Sequence, residues 1–293
     1  MAVKHSRFDR FLLSLNAIFL TLAVLVVVVP LVYIVVASFM DPTVLLNQGL
    51  SFKISDWSLE GYQMILSNPA MLRGFGNAVF YSTAFALLTV TVSVCAGYAL
   101  SESRLAGRHF FMTLFIITIF FGGGLIPTYL LVRELGMLNT VWAVIIPGAV
   151  NVWNIILSRT FFKGVPNELK EAANVDGATD MKIFVRIVLP LSKPIIFVLA
   201  LYAFVGQWNA FFDAMIYLDD PKLHPLQLVL RSILIQNQAA PGMISDQLAM
   251  AELKRLSEMI KYSAIVISSL PLLIMYPFFQ KYFEKGVMVG SLK

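Results

Sequence analysis

The sequence predicts an all-α integral membrane protein with six transmembrane helices. Three observations carry that fold class. Of 293 residues, 58% are hydrophobic and only 13% are charged, against about 25% charged in ordinary soluble chains. The mean hydropathy is +0.79, more apolar than a soluble fold of this length can bury. Six windows contain no Asp, Glu, Lys, Arg or His: 11–39, 74–101, 110–132, 135–158, 194–212 and 262–280. Each comes close to or exceeds the about 20 apolar residues a helix needs to cross the hydrocarbon core. The same composition excludes a disordered, collagen-like or disulfide-rich chain. Cys95 is the single cysteine, which forbids an internal disulfide and any CxxC metal or redox site. The net charge of +5 points to a membrane surface rather than nucleic acid, because the basic residues are spread thinly beside long apolar runs.

The first window follows a basic start, Lys4, Arg7 and Arg10, as a cleaved leader would. Its 29 uncharged residues exceed the about 7–15 of a leader core, so it reads as a span. Residues 40–73 form an external loop, with Asp41-Pro42 and Asn68-Pro69 as turn signals and Trp57 and Tyr62 at the membrane edge. With the N-terminus inside, the internal segments hold 14 of the 22 Lys+Arg residues on 66 residues, and the external ones hold 8 on 85. Basic residues favour the cytoplasmic side, so both termini are expected there. The domain organisation follows: 1–40, an N-terminal segment and first helix; 41–73, an external loop; 74–280, a five-helix core; 281–293, a cytoplasmic tail. Pro127, Pro147 and Pro271 are expected to kink their spans. Gly122-Gly123-Gly124 reads either as a hinge or as a site of close helix packing.

The longest internal loop, 159–193, is helical in pattern. Pro166 suits a first helical turn, with Glu168 and Glu171 near the positive end of the helix dipole. Ala172 and Ala173 leave a smooth face for a close approach. Gly177 stops the helix, since glycine takes positive φ freely. Thr179 caps a second helix with Asp180 in its first turn. Met181, Phe184, Val185 and Val188 form its apolar stripe, as in a helix lying on the inner membrane surface. A docking element and a plain connector are both consistent with these residues, and the stop-and-cap pattern favours the former.

Glu171-Ala172-Ala173-Asn174-Val175-Asp176-Gly177-Ala178, followed by Phe184, Ile187, Leu189-Pro190 and Pro194, closely resembles the EAA loop of ABC importer permeases. Gly123-Gly124-Leu125-Ile126-Pro127-Thr128-Tyr129, Leu135-Gly136-Met137-Leu138-Asn139-Thr140, Arg159-Thr160-Phe161-Phe162 and Gln207-Trp208-Asn209 extend the likeness over about residues 70–293. They resemble carbohydrate-uptake permeases similar to the smaller maltose-system subunit, closest to the alginate and pectic oligosaccharide subgroup. The resemblance implies a type I ABC importer transmembrane fold in the bacterial inner membrane. It implies a second related permease subunit, two ATPase subunits that carry ATP and Mg, an extracytoplasmic solute-binding protein and an oligosaccharide substrate. It places an ATPase-coupling helix at 167–175, with Glu168, Glu171, Ala172, Ala173, Asp176, Gly177 and Ala178 as the coupling residues. It also implies that segment 236–250 reaches the binding protein, where a plain surface loop is the alternative.

No phosphate-binding GxxxxGK[ST] run, HExxH or GxSxG is present, so no catalytic or metal site is expected and no nucleotide is bound by this chain. Gln207, Trp208 and Asn209 form a candidate substrate-pathway cluster near the outer end of the fifth span. Asn151 and Asn154 flank Trp153 near the inner end of the fourth. Amides beside aromatic faces suit a sugar; interhelical hydrogen bonding is the plainer reading. An ATP-independent transporter or channel is the functional alternative. It would place ionisable residues at mid-membrane depth, and the six windows contain none. Uronates call for basic groups, which in this chain are restricted to loop residues such as Arg133 and Arg231.

Overall fold

The computed structural model describes residues 6–236 and 247–290. The chain divides into two compact units, 1–68 with 233–269 and 69–232 with 270–293. All of the described secondary structure is helical apart from one isolated bridge, Met40 to Trp57.

In the first unit, α1 (Arg7–Ser38) opens on a capping box: the Ser6 hydroxyl accepts the Asp9 amide and the Asp9 carboxylate accepts the Ser6 amide. Its 32 residues reach about 48 Å at 1.5 Å per residue, ample for a core about 30 Å thick. Its side chains are exposed from Arg7 to Tyr33, as a helix solvated by lipid requires. The segment expected as an open loop folds into α2 (Pro42–Gln48), a 3-10 turn (Ile54–Asp56) and α3 (Glu60–Ser67). Asp41 caps α2 by accepting the Thr43 amide at 2.7 Å. Trp57 and Tyr62, expected at the membrane edge, both lie against Phe39, with ring centroids 6.1 and 5.1 Å away. The Tyr62 hydroxyl also meets Ser38 Oγ at 2.6 Å.

The second unit begins with α4 (Pro69–Ser101), five residues before its charge-free window, with proline at a position where its missing N–H costs nothing. The window 110–132 is two helices, α5 (Arg108–Phe120) and α6 (Leu125–Glu134), meeting at 114°. The break is Gly122–Gly124, where Gly124 takes φ 83°. A Cβ added at Gly122 or Gly124 would meet nothing within 4 Å. Within this chain the glycines therefore serve a turn. The window 135–158 is not one helix either. Gly136 (φ 67°) and Asn139 (φ 55°) turn the chain into the short α7 (Trp142–Ile145), and Asn151 caps α8 (Val152–Lys163) by accepting the Asn154 amide at 3.0 Å. Pro127 sits in the first turn of α6 and Pro147 between α7 and α8, so neither kinks a helix; Pro271 does lie inside one.

Next come α9 (Asn167–Val175), α10 (Asp180–Ile183), a π turn (Phe184–Val188), α11 (Leu189–Leu191) and α12 (Lys193–Asn209). The segment Asp180–Leu191 meets α12 at 77°. α13 (Phe212–Tyr217), a 3-10 turn (Pro221–Leu223), α14 (Leu226–Gln236) and α15 (Gln247–Gly290) complete the described chain. Among the described residues, three helical stretches are long and apolar enough to cross a membrane: α1, α4 and Ile260–Phe278 of α15. The number rises to five if each bent pair is one span. The sixth expected span, 135–158, is divided between α7 and α8.

α4 is the axis of the second unit, with α8 and α12 packed along it. Its crossing with α8 is tight: a Cβ on Gly97 would stand 2.5 Å from Ser158 Cβ and 2.9 Å from the Arg159 amide nitrogen. Arg159 Nε donates to the Leu100 carbonyl at 3.1 Å, satisfying an end-of-helix acceptor that has no partner within α4. Asn139, in its left-handed conformation, accepts the Asp219 and Asp220 amides at 3.1 and 2.9 Å and so pins the turn after α13.

Candidate functional site

The hairpin between α8 and α12 is built from local signals. Pro166 (φ −55°, ψ 129°) stands at the cap just before α9, one place earlier than expected, and Glu168 lies in the first turn. α9 ends in a paired closure: Gly177 N–H donates to the Asn174 carbonyl at 3.0 Å and Ala178 N–H to that of Ala173 at 2.9 Å. Gly177 takes φ 73°, so this is a Schellman stop. The Thr179 hydroxyl then accepts the Lys182 amide at 3.4 Å, with Asp180 in the first turn of α10.

The hairpin has distinct inner and outer faces. Ala173 is buried, while Glu168, Leu169, Glu171, Ala172, Val175, Asp176 and Gly177 are exposed and Ala178 is half-buried. Val175 is 88% exposed, an unusual place for a valine unless another surface covers it. The apolar stripe differs from the expected one. Ile183, Phe184 and Val188 are buried with Val94, Phe162 and Leu199, whereas Met181 and Val185 point outward. Ile183, just before the π turn at Phe184–Val188, takes an inward position that the expected stripe did not include.

The anchor of this hairpin is not readable from local sequence. Lys170, on the inner side of α9, pairs with Glu102, 68 residues earlier, at the end of α4. Lys170 Nζ also lies 5.5 Å from the centre of the Tyr98 ring. That ring stacks on Phe184 (centroids 4.5 Å apart) and meets Phe162 edge-on (5.8 Å). One knot of side chains therefore joins α4, α8, α9 and the π turn. Beside it lies a cleft of about 410 Å³ lined by both signs of charge, Arg104 and Lys170 with Glu102, Glu171 and Asp180. A rigid, outward-facing hairpin held this way can pass a push on α9 into the long helices. Replacing Lys170 by Met is expected to lower the protection of α9 amides against hydrogen exchange several-fold. The swap of Lys170→Glu with Glu102→Lys should restore much of it. Unchanged protection in the single variant would show that the ion pair does not hold the hairpin.

The second candidate cluster is divided. Gln207 lines a small pocket that also brings in Asn151 and Asn154, so residues assigned to opposite ends of two spans come together. Trp208 is buried in the core, stacked on Phe204 (6.0 Å) and edge-on to Phe75 (5.5 Å), and presents no face to a ligand. Asn209 is exposed and its Nδ2 donates back to the Val205 carbonyl at 2.9 Å. Arg231 lies over the Phe211 ring at 4.7 Å and donates to Met215 Sδ at 2.9 Å. Of segment 236–250, residues 237–246 lie outside the described residues.

Comparison with known proteins places these features in context. A family model described as "binding-protein-dependent transport system inner membrane component" matches residues 1–289. Protein LplC of Bacillus subtilis is 37% identical over 95% of this chain and 93% of its own. The polygalacturonan/rhamnogalacturonan transport system permease protein YtcP of the same organism is 35% identical over 99% of this chain and all of its own. Among solved structures, a chain of a bacterial ABC transporter involved in the import of the acidic polysaccharide alginate superposes with a TM-score of 0.84. It is 30% identical, and the match covers 96% of this chain and 100% of that one.

Proposed function

This chain belongs to the binding-protein-dependent transport system inner membrane components, and from that premise we propose that it carries an acidic oligosaccharide, of the pectic or alginate class, into the cell. It is a permease subunit of an ABC importer, a multi-pass membrane protein and not an enzyme. The substrate reading is supported by the substrates in the names of two of the similar proteins. Family membership implies a partner permease, ATPase subunits and a solute-binding protein. In this reading the partner permease is a related chain and two ATPase subunits hold ATP and Mg. Both termini lie in the cytoplasm of a bacterium.

The single observation that carries the mechanism is the anchored hairpin. α9 presents Glu168, Glu171, Ala172 and Val175 outward to a groove on an ATPase subunit, and Gly177 with the Tyr98–Phe184–Lys170 knot makes it a rigid lever. Closure of the ATPases on ATP moves α9, and through α4 and α8 the membrane helices follow, opening the pathway alternately to each side.

The experiment is uptake of a labelled uronate oligosaccharide into proteoliposomes containing the whole importer, with the binding protein outside. Uptake is expected only with ATP and Mg inside, to be unaffected when ion gradients are dissipated, and to fall at least tenfold in Glu171→Lys. Uptake that follows an ion gradient without ATP would instead identify an ATP-independent transporter.

A further inference from the structure

α14 is fixed against the rest of the second unit before it reaches Arg231. Asn77 on α4 donates through Nδ2 to the Lys222 and His224 carbonyls at 2.8 and 3.0 Å, and the Tyr81 hydroxyl donates to the Leu223 carbonyl at 2.8 Å. These bonds hold the turn that leads into α14. Leu226, Leu228 and Val229 are then buried, and a Cβ added to Gly74 on α4 would stand 3.1 Å from Val229 Cγ2. Leu228 packs with Ala214 of α13. The backbone under Arg231, two residues past Val229, is therefore set by packing on two helices.

The guanidinium is set as well. It lies 4.7 Å from the centroid of the Phe211 ring, and one N–H donates to Met215 Sδ at 2.9 Å. Stacking on a ring orients the planar fork, while a thioether sulfur is only a weak acceptor. Among the described side chains no carboxylate pairs with Arg231, although Asp213 stands between Phe211 and Met215 in sequence. Arg231 is half-buried, so its charge is partly withdrawn from water and its remaining N–H groups are left to whatever reaches this surface. Arg133, by contrast, is exposed at the end of α6, and among the described residues no side-chain hydrogen bond, ion pair or ring contact orients it.

The six charge-free windows offer an anion no cation, so a carboxylate approaching the pathway loses water with nothing there to offset the loss. An arginine that is oriented, half-buried and unpaired presents the fork that a carboxylate accepts in bidentate fashion. We propose that Arg231 binds the carboxylate of a uronate residue of the transported saccharide at the outer mouth of this chain. The proposal rests on the acidic-substrate reading and on the orientation given above, which put α13 and α14 outside. It adds the residue of this subunit that reads the charge.

The test uses the complete importer in proteoliposomes with its binding protein, and a labelled trisaccharide uronate. Arg231→Gln keeps a planar, donor-bearing head for Phe211 and Met215 but removes the charge. Arg231→Lys keeps the charge but not the planar fork. A carboxylate site predicts that Arg231→Gln raises the half-saturating concentration roughly tenfold and Arg231→Lys about two- to threefold. Melting temperature and basal ATP hydrolysis are expected to hold in both. A mere clamp of α14 on α13 predicts the reverse order or no change, because Gln preserves the stack that Lys loses. Uptake in Arg231→Gln that matches or exceeds uptake in Arg231→Lys, or equal losses in both with a lowered melting temperature, would overturn the carboxylate site and leave the acidic-substrate reading intact. Wild type that takes up a neutral trisaccharide but no uronate would defeat the acidic-substrate reading itself, and the proposal with it.

Discussion

Gly177→Val is expected to lower saccharide-stimulated ATP hydrolysis and transport together while the membrane helices stay folded. Gly177 sits at φ 73°, and a left-handed backbone costs an L-residue about 1–2 kcal/mol, more for a β-branched one. An added Cβ meets nothing within 4 Å, so the substitution introduces backbone strain without a clash. The strain falls on the paired closure from Ala178 to Ala173 and from Gly177 to Asn174, which sets the angle at which α9 leaves the hairpin. A loss of about 1.4 kcal/mol in that geometry shifts its equilibrium against competing geometries tenfold. Saccharide-stimulated hydrolysis and uptake should fall by at least that factor in reconstituted importer. Gly177→Asn, which tolerates the left-handed region, should keep most of both. Equal activity in the valine and asparagine variants would show that the turn geometry is not what transmits the motion.

Gly97→Leu is expected to have the larger effect on the folded protein. Even the first carbon of a side chain would stand 2.5 Å from Ser158 Cβ and 2.9 Å from the Arg159 amide nitrogen. The latter is backbone, so α4 and α8 must part. Overpacking of a tight core costs about 1–3 kcal/mol and sometimes more. The parting also lengthens the Arg159–Leu100 bond and loosens the knot at Tyr98 one position further along α4. The Leu variant should fail to assemble with its partners, and Gly97→Ala should lower the melting temperature of the detergent-purified complex by several degrees. Adding Ser158→Gly to Gly97→Ala removes the 2.5 Å contact but leaves the 2.9 Å one, so rescue should be partial. Full stability in Gly97→Ala would mean that the two helices do not cross so closely.

The hairpin was legible because its signals are local. Pro166, Gly177 and Thr179 each act within four residues, and the structure places stop and cap at the expected positions. α1 and α4 were legible as long uncharged runs. The break within 110–132 was offered only as the hinge reading of Gly122-Gly123-Gly124, and that within 135–158 was not legible, since absence of charge reveals nothing about direction. They come from single residues with positive φ, Gly124, Gly136 and Asn139, of which Asn139 carries little sequence warning. Of the expected apolar stripe, Phe184 and Val188 are buried while Met181 and Val185 lie outward, a division that depends on what packs against each side and not on the repeat. The Lys170–Glu102 pair and the pocket shared by Gln207 and Asn154 depend on residues 68 and 53 positions apart, a relation no window on the sequence contains. Trp208 was drawn into the pathway cluster by its neighbours, although a large aromatic side chain on a packed helix belongs more often in a core.

The most direct test of the lever is proximity in the working importer. With Cys95 replaced by Ser and Val175 by Cys, a short thiol cross-linker on the assembled complex should join this chain to an ATPase subunit. The yield should change between nucleotide-free and ATP-bound states, and linking should block saccharide-stimulated hydrolysis. An importer that transports normally while Cys at this position never reaches an ATPase subunit would contradict the coupling role of α9.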